Sequence, residues 1–179
     1  MSSTAVVYQS RYGSTSRYAH WIADKTDAAL IKLSDFTPSE ILSHSTIIFG
    51  SPIFAGTLGC AKFIRQNAET LKKRRIGLFV VGLGPLDSPD RLAVCDTALP
   101  RALHSWVDVF QLRGAIDYSK LSLAHRLIMK VVDRQTVRRA RKNPTTANRE
   151  CAAQVGKNMN YVEPATVEPI VGWALRQAP

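Results

Sequence analysis

The order of apolar runs along this chain predicts a doubly wound α/β fold, a five-stranded parallel sheet with helices on both faces. Three observations carry that prediction. Short β-rich runs alternate with helical stretches from the first residues to Ile116, joined by short loops. "RRIGLFVVGLG" (Arg74–Gly84) is apolar along its whole middle, as suits a central parallel strand buried on both faces. The runs also end in glycine-, serine- and proline-rich loops, where sheets of this class bind ligands. A chain of 179 residues, 45% hydrophobic and 21% charged, fits one soluble globular unit.

Each element has its own local reason. "TAVVYQ" is a β-rich run reaching a turn at "SRYGS", and from Ser14 the spacing changes to helix, with Tyr18 and Ile22 on its inner side. "AALIKL" (Ala28–Leu33) reads as the second strand. "TPSEILSH" starts a short helix beside a proline, and "STIIFG" (Ser45–Gly50) is an apolar third strand ended by glycine. A helix over Leu58–Leu71 turns Lys62, Arg65, Gln66 and Glu69 to solvent. The fourth strand is followed by a helix over Pro89–Leu103 and a fifth strand over Val107–Ile116.

The last third differs in charge. Between Arg113 and Arg149 there are ten Lys/Arg against Asp117 and Asp133, a difference of +8 that makes up most of the chain's +10. "LSLAHRLIMKVVDR" is amphipathic, with Leu123, Leu127, Ile128, Val131 and Val132 in an apolar stripe flanked by Arg126, Lys130 and Arg134. That stripe either packs on its own domain or rests on an anionic membrane surface. A helix over Thr146–Tyr161 closes a domain of residues 1–161, which includes the basic segment 113–149. The proline-containing tail 162–179 is expected to wander over the surface. Nucleic acid is a poor partner for the basic third, which lacks interleaved aromatics and any recognition motif.

Cys60, Cys95 and Cys151 are odd in number and far apart, without metal-ligand spacing. They predict a reducing, cytoplasmic setting and no structural zinc. No leader precedes the first apolar run and no apolar run approaches membrane-spanning length, so contact with the cell membrane would be peripheral.

Three post-strand loops carry the chemistry. In Ser10–Thr15, a glycine, several hydroxyls and a helix start present outward N–H groups that suit one phosphate monoester. The spacings GxxxxGK[ST] and GxGxxG are both absent. An ordinary N-capping turn would use the same residues, and the stretch alone leaves both readings open. "GSPIFAGTLG" (Gly50–Gly59) reads as a long glycine-edged loop carrying Phe54, and "GLGPLDSP" (Gly82–Pro89) as its opposite wall. Together they border a slot for a planar heterocycle. Phe54 needs no ligand to be explained, and Asp87 reads as a turn or capping residue rather than a catalytic acid.

"QSRYGSTSRYAHWIA", "IIFGSPIFAG" and "VVGLGPLDSP", taken together, resemble the flavodoxin family over residues 4–160. The resemblance implies strand order 2-1-3-4-5 and an FMN at the end of the sheet. By position it implies that Ser10, Arg11, Tyr12, Gly13, Ser14 and Thr15 hold the phosphate. Ser51, Pro52, Ile53, Phe54, Ala55 and Gly56 would border one side of the ring, and Gly82, Leu83 and Gly84 the other. "LRGAIDYSKLSLAHRLIMKVV" further resembles the flavodoxin-like, menaquinone-linked protoporphyrinogen IX oxidases (dehydrogenases). Gly114, Ala115, Tyr118, Arg126, Leu127, Ile128, Met129 and Lys130 keep that pattern, while His125 replaces the acidic residue before the arginine. This second resemblance implies an FMN-dependent oxidoreductase acting on a planar or acidic substrate such as a porphyrinogen. Electrons would pass to a membrane quinone, with no catalytic side chain or metal. A flavodoxin-type electron carrier is the alternative, although the family's carriers are acidic and this chain is basic.

Overall fold

The computed structural model describes residues 3–54, 56–86, 89–99 and 105–176. Five parallel strands form the main sheet: β1 (Thr4–Tyr8), β2 (Ala29–Lys32), β3 (Thr46–Phe54), β5 (Arg75–Gly82) and β6 (Val107–Arg113). Their spatial order is β2-β1-β3-β5-β6. Counting parallel strands alone, this is the 2-1-3-4-5 order expected from the sequence. β5 is buried at every position after Arg75, because both of its faces are covered.

Alternation along the strands divides the core in two. On one face Ala5, Val7, Ile47, Phe49, Leu78 and Val80 pack with Phe36, Ile41, Ile64 and Leu71. On the other, Val6, Ile48, Phe79 and Val81 pack against Tyr18, Ala19 and Ile22 of α1 (Ser14–Thr26).

Several elements differ from expectation, each for a local reason. The segment Gly50–Gly59 is not one long loop. β3 continues to Phe54 and pairs antiparallel with the short β4 (Thr57–Leu58), turning at Gly56 with φ +74°. The helix expected over Leu58–Leu71 is two pieces, α2 (Ala61–Gln66) and α3 (Ala68–Leu71). They part at Asn67, whose side-chain amide donates to the Phe63 carbonyl at 2.9 Å. The "TPSEILSH" helix is a 3-10 turn, Glu40–Ser43. α4 spans Pro89–Ala98, Leu99 follows it as a buried residue outside the helix, and residues 100–103 of the expected helix lie outside the described residues.

β6 ends at Arg113. The next residues form β7 (Ala115–Ile116), which pairs with β8 (Met159–Asn160). The basic stretch is the twenty-residue α5 (Leu123–Lys142), followed by α6 (Thr146–Ala153), shorter than the expected helix.

The largest correction concerns residues 162–176, which do not wander. A 3-10 turn (Pro164–Val167) leads into α7 (Glu168–Leu175), and Val167, Ile170, Val171 and Trp173 complete the α1 side of the core. Pro164 and Pro169 both sit in the first turn of a helix, where the missing N–H costs nothing, so they start structure rather than interrupt it. Trp173 lies against Gly77, where a Cβ would come within 2.9 Å of the indole. Its Nε1 donates to Asp108 at 2.7 Å, and the Arg75 guanidinium stacks 4.1 Å from the ring.

Trp173→Ala is expected to lower the unfolding free energy by about 3–5 kcal/mol, the usual cost of emptying an aromatic site in a core. Urea denaturation should show this as a lower midpoint with an unchanged m-value.

Candidate functional site

β1 has its neighbours β2 and β3 on opposite sides, so strand order reverses beside it and a crevice opens beyond the carboxyl ends of β1, β3 and β5. A cavity of about 920 Å³ occupies this place.

The first wall is the start of α1. Gly13 is left-handed (φ +87°), which glycine adopts without strain, and the Ser10 hydroxyl accepts its N–H at 3.2 Å. Ser14 and Thr15 in the first helical turn are 6% and 2% exposed, and both line the cavity. No acidic residue stands in that turn to compete for an anion. The Ser14 hydroxyl also accepts the Ala115 N–H at 2.9 Å, which ties this loop to the segment after β6. Ser10 and Gly13 shape the loop without lining the cavity.

The second wall is the β3–β4 hairpin, with Pro52, Ile53, Phe54 and Gly56 on the cavity. Ser51 is fully buried and faces elsewhere. Its hydroxyl accepts the Gly59 N–H at 2.8 Å and so pins the hairpin's base. Ala55 lies outside the described residues, as does Asp87.

Arg11 bridges the first two walls. Its guanidinium stacks 3.8 Å from the Phe54 ring centre and donates to His125 Nε2 at 3.4 Å. Tyr12 meets His125 edge-on at 5.5 Å and Phe54 at 6.3 Å. The replacement noted at His125 therefore falls in this cluster, beside the Arg11 guanidinium. The Tyr12 hydroxyl is buried without a hydrogen-bond partner among the described residues, and burial raises its pKa above the ordinary phenol value. A buried, unanswered hydroxyl on a cavity wall is suited to a polar guest.

The third wall, Gly82, Leu83 and Gly84, is held from behind by two arginines. Arg91 of α4 is 5% exposed. It donates to the carbonyls of Val80 (3.1 Å), Gly82 (3.3 Å), Gly84 (2.9 Å) and Leu112 (2.7 Å), and to Gln111 Oε1 (3.0 Å). Burial lowers its pKa to about 10, so it remains a cation at neutral pH. Arg113 donates to the Leu83 carbonyl and to Glu150 Oε1, both at 3.1 Å, with its guanidinium 3.7 Å from the Tyr161 ring centre.

Neither arginine was expected from the sequence as part of the site. For Arg91 there was a signal, since Arg91, Cys95 and Ala98 recur on the buried side of α4 and place an arginine at a core position. The cavity then continues beyond the three loops. Ile128, Val131, Val132, Gln135, Thr136 and Arg139 of α5 close its far side.

Arg91→Leu is expected to cost about 3–5 kcal/mol, because it removes a buried cation and every hydrogen bond it makes to the two strand ends and the loop. Arg91→Lys should recover only part of this, since an ammonium cannot span four carbonyls and an amide as a planar fork does. Urea denaturation of the two variants checks both expectations.

A family model described as a flavodoxin domain matches residues 5–143. Among solved structures, the two-electron reduced flavodoxin of Megasphaera elsdenii is 19% identical, with 60% of this chain and 82% of that chain covered, at a TM-score of 0.46. The flavodoxin, WrbA-like protein of Agrobacterium tumefaciens is 21% identical, covering 68% and 85%, at 0.42. The azoreductase of Bacillus anthracis is 10% identical, covering 87% and 99%, at 0.42. No curated protein matches. With the family model spanning most of the chain and the sheet in the expected order, the protein belongs to the flavodoxin-domain family.

Proposed function

We propose that this chain is an FMN-dependent oxidoreductase that oxidises a planar, acidic organic substrate of the porphyrinogen kind and passes the electrons to a quinone. One observation carries the reading of an enzyme with its own substrate. The cavity does not end at the three loops but runs on to a wall built by α5. A carrier needs the loops alone, and the α5 wall has no task in that reading.

The residues fit the cofactor. The helix start with Ser14 and Thr15 offers N–H and hydroxyl donors to one phosphate monoester. The Tyr12 hydroxyl is a buried donor in want of an acceptor. Pro52, Ile53 and Phe54 would border one side of a flat ring, and Gly82, Leu83 and Gly84 the other. FMN, when bound, supplies the redox chemistry, and the protein supplies position and electrostatics. Arg11, stacked on Phe54 and bonded to His125, ties the phosphate loop to the hairpin and to α5. Beyond it, Ile128, Val131 and Val132 offer an apolar surface to the body of a substrate, and Arg139 a cation to its carboxylate. The resemblance of residues 112–132 to the protoporphyrinogen oxidases supports that substrate class.

Titration of the purified protein with FMN and with riboflavin, followed by flavin fluorescence, tests the cofactor. FMN should bind at least about tenfold more tightly, and Thr15→Val should lose about tenfold for FMN while leaving riboflavin unchanged, as expected for one hydrogen bond to a charged group. Protoporphyrinogen oxidation that requires added quinone is the expected activity. FMN binding without turnover would overturn the substrate and leave the carrier; no flavin binding would overturn both.

A further inference from the structure

We propose that α5 is a docking helix for an anionic lipid bilayer, seated with its outer side flat on the membrane. The inference rests on the helix surface and not on the flavin reading.

α5 has a fixed inner side. Met129 is buried with Ile116 and Leu121, and the Tyr118 hydroxyl donates to Asp133 at 3.0 Å. The Ser122 hydroxyl caps its start by accepting the His125 N–H. These contacts fix which side of the helix faces the domain, and so define its outer side.

At helical spacing, Leu123, Leu127, Val131, Arg134, Arg138 and Arg141 fall within a sector of about 80° on that outer side. All six are exposed: Leu123 83%, Leu127 67% and Val131 48%, with all three arginines open to solvent. The apolar stripe read from the sequence thus does not pack on its own domain, apart from the half-buried Val132. The first half of this side is apolar and the second half cationic. Over its twenty residues α5 carries seven Lys/Arg and one acid.

An anionic bilayer answers both halves together, with acyl chains for the leucines and headgroups for the arginines. Nucleic acid would leave Leu123 and Leu127 in water. A second copy of this chain would bring one cationic helix against another. The outer side of one straight helix is narrow and about 30 Å long, a shape that lies on a plane rather than in a groove. Among the described residues no helix is long and apolar enough to cross a membrane, so α5 lies on the bilayer. Val131 belongs both to the outer side and to the cavity wall, with Ile128 of that wall beside it, and docking would bring the cavity's rim to the lipid boundary.

The test is co-sedimentation of the whole protein with phosphatidylcholine vesicles and with phosphatidylcholine–phosphatidylglycerol vesicles. Binding should be at least about tenfold tighter to the anionic vesicles and weaken with salt. The double variant Leu123→Asp/Leu127→Asp touches neither core nor cavity and should keep its circular dichroism and melting temperature. It should lose about tenfold or more in vesicle binding. Arg134→Gln/Arg138→Gln/Arg141→Gln should abolish the preference for anionic lipid. Equal affinity for both vesicles, no binding, or leucine variants that bind unchanged would each overturn the proposal. So would duplex DNA competing the protein off vesicles at equal charge concentration.

Discussion

At the carboxyl ends of β5 and β6 a single buried guanidinium ties the two strand ends and the following loop together. Arg91 collects Val80, Gly82 and Gly84 from one strand and its loop, and Gln111 and Leu112 from the other. Each bond joins a cation to a neutral acceptor and is stronger than an ordinary amide pair. Two strand ends and a loop are thereby made one rigid piece. The glycine at 82 follows from this clamp, because a Cβ there would sit 3.2 Å from the guanidinium carbon. Arg113 extends the hold to Leu83, and Glu150 and Tyr161 hold Arg113 in turn. Such a wall is set before any guest arrives, which is what precise positioning demands.

The clamp also has an electrical consequence. Arg113 shares its charge with Glu150, but among the described residues no carboxylate pairs with Arg91. Buried charge is screened far less than surface charge. Arg91 therefore lowers the energy of negative charge in the adjoining cavity, and the acid-free first turn of α1 acts in the same sense from the opposite wall.

Those parts of the molecule whose reason is local were legible in the sequence. The apolar run of β5 and the helix start after Gly13 each declare themselves within about ten residues, and the parallel, doubly wound class follows from strand–helix alternation, while the strand order rests on the family resemblance. What depended on distant partners was not. The hairpin at Ile53–Leu58 looked like a loop because its glycine marks a tight turn as readily as a long one. The tail reads as loose because prolines mark breaks as readily as helix starts. Only the β-sheet's uncovered face beside α1, invisible in one dimension, gives Ile170 and Trp173 somewhere to go. Arg91 was hidden by its type, since an arginine at a core position of a short helix reads as surface until its acceptors are placed around it.

α5 shows how one amphipathic pattern can be divided between two surfaces. The sequence offers a single apolar stripe, and the natural inference assigns all of it to one partner. The structure instead rotates the helix so that Met129 and Val132 turn toward the domain while Leu123 and Leu127 turn away. That rotation is fixed from the polar side: the Tyr118–Asp133 bond and the Arg126 bond to the Ser119 carbonyl anchor the helix to the segment after β7. Turning α5 further to bury Leu127 would pull Asp133 from Tyr118 and Met129 from Ile116, so the leucines stay outside. The contacts that complete the cavity wall are thus the same ones that expose the helix's outer side, and neither surface can be altered through them without the other.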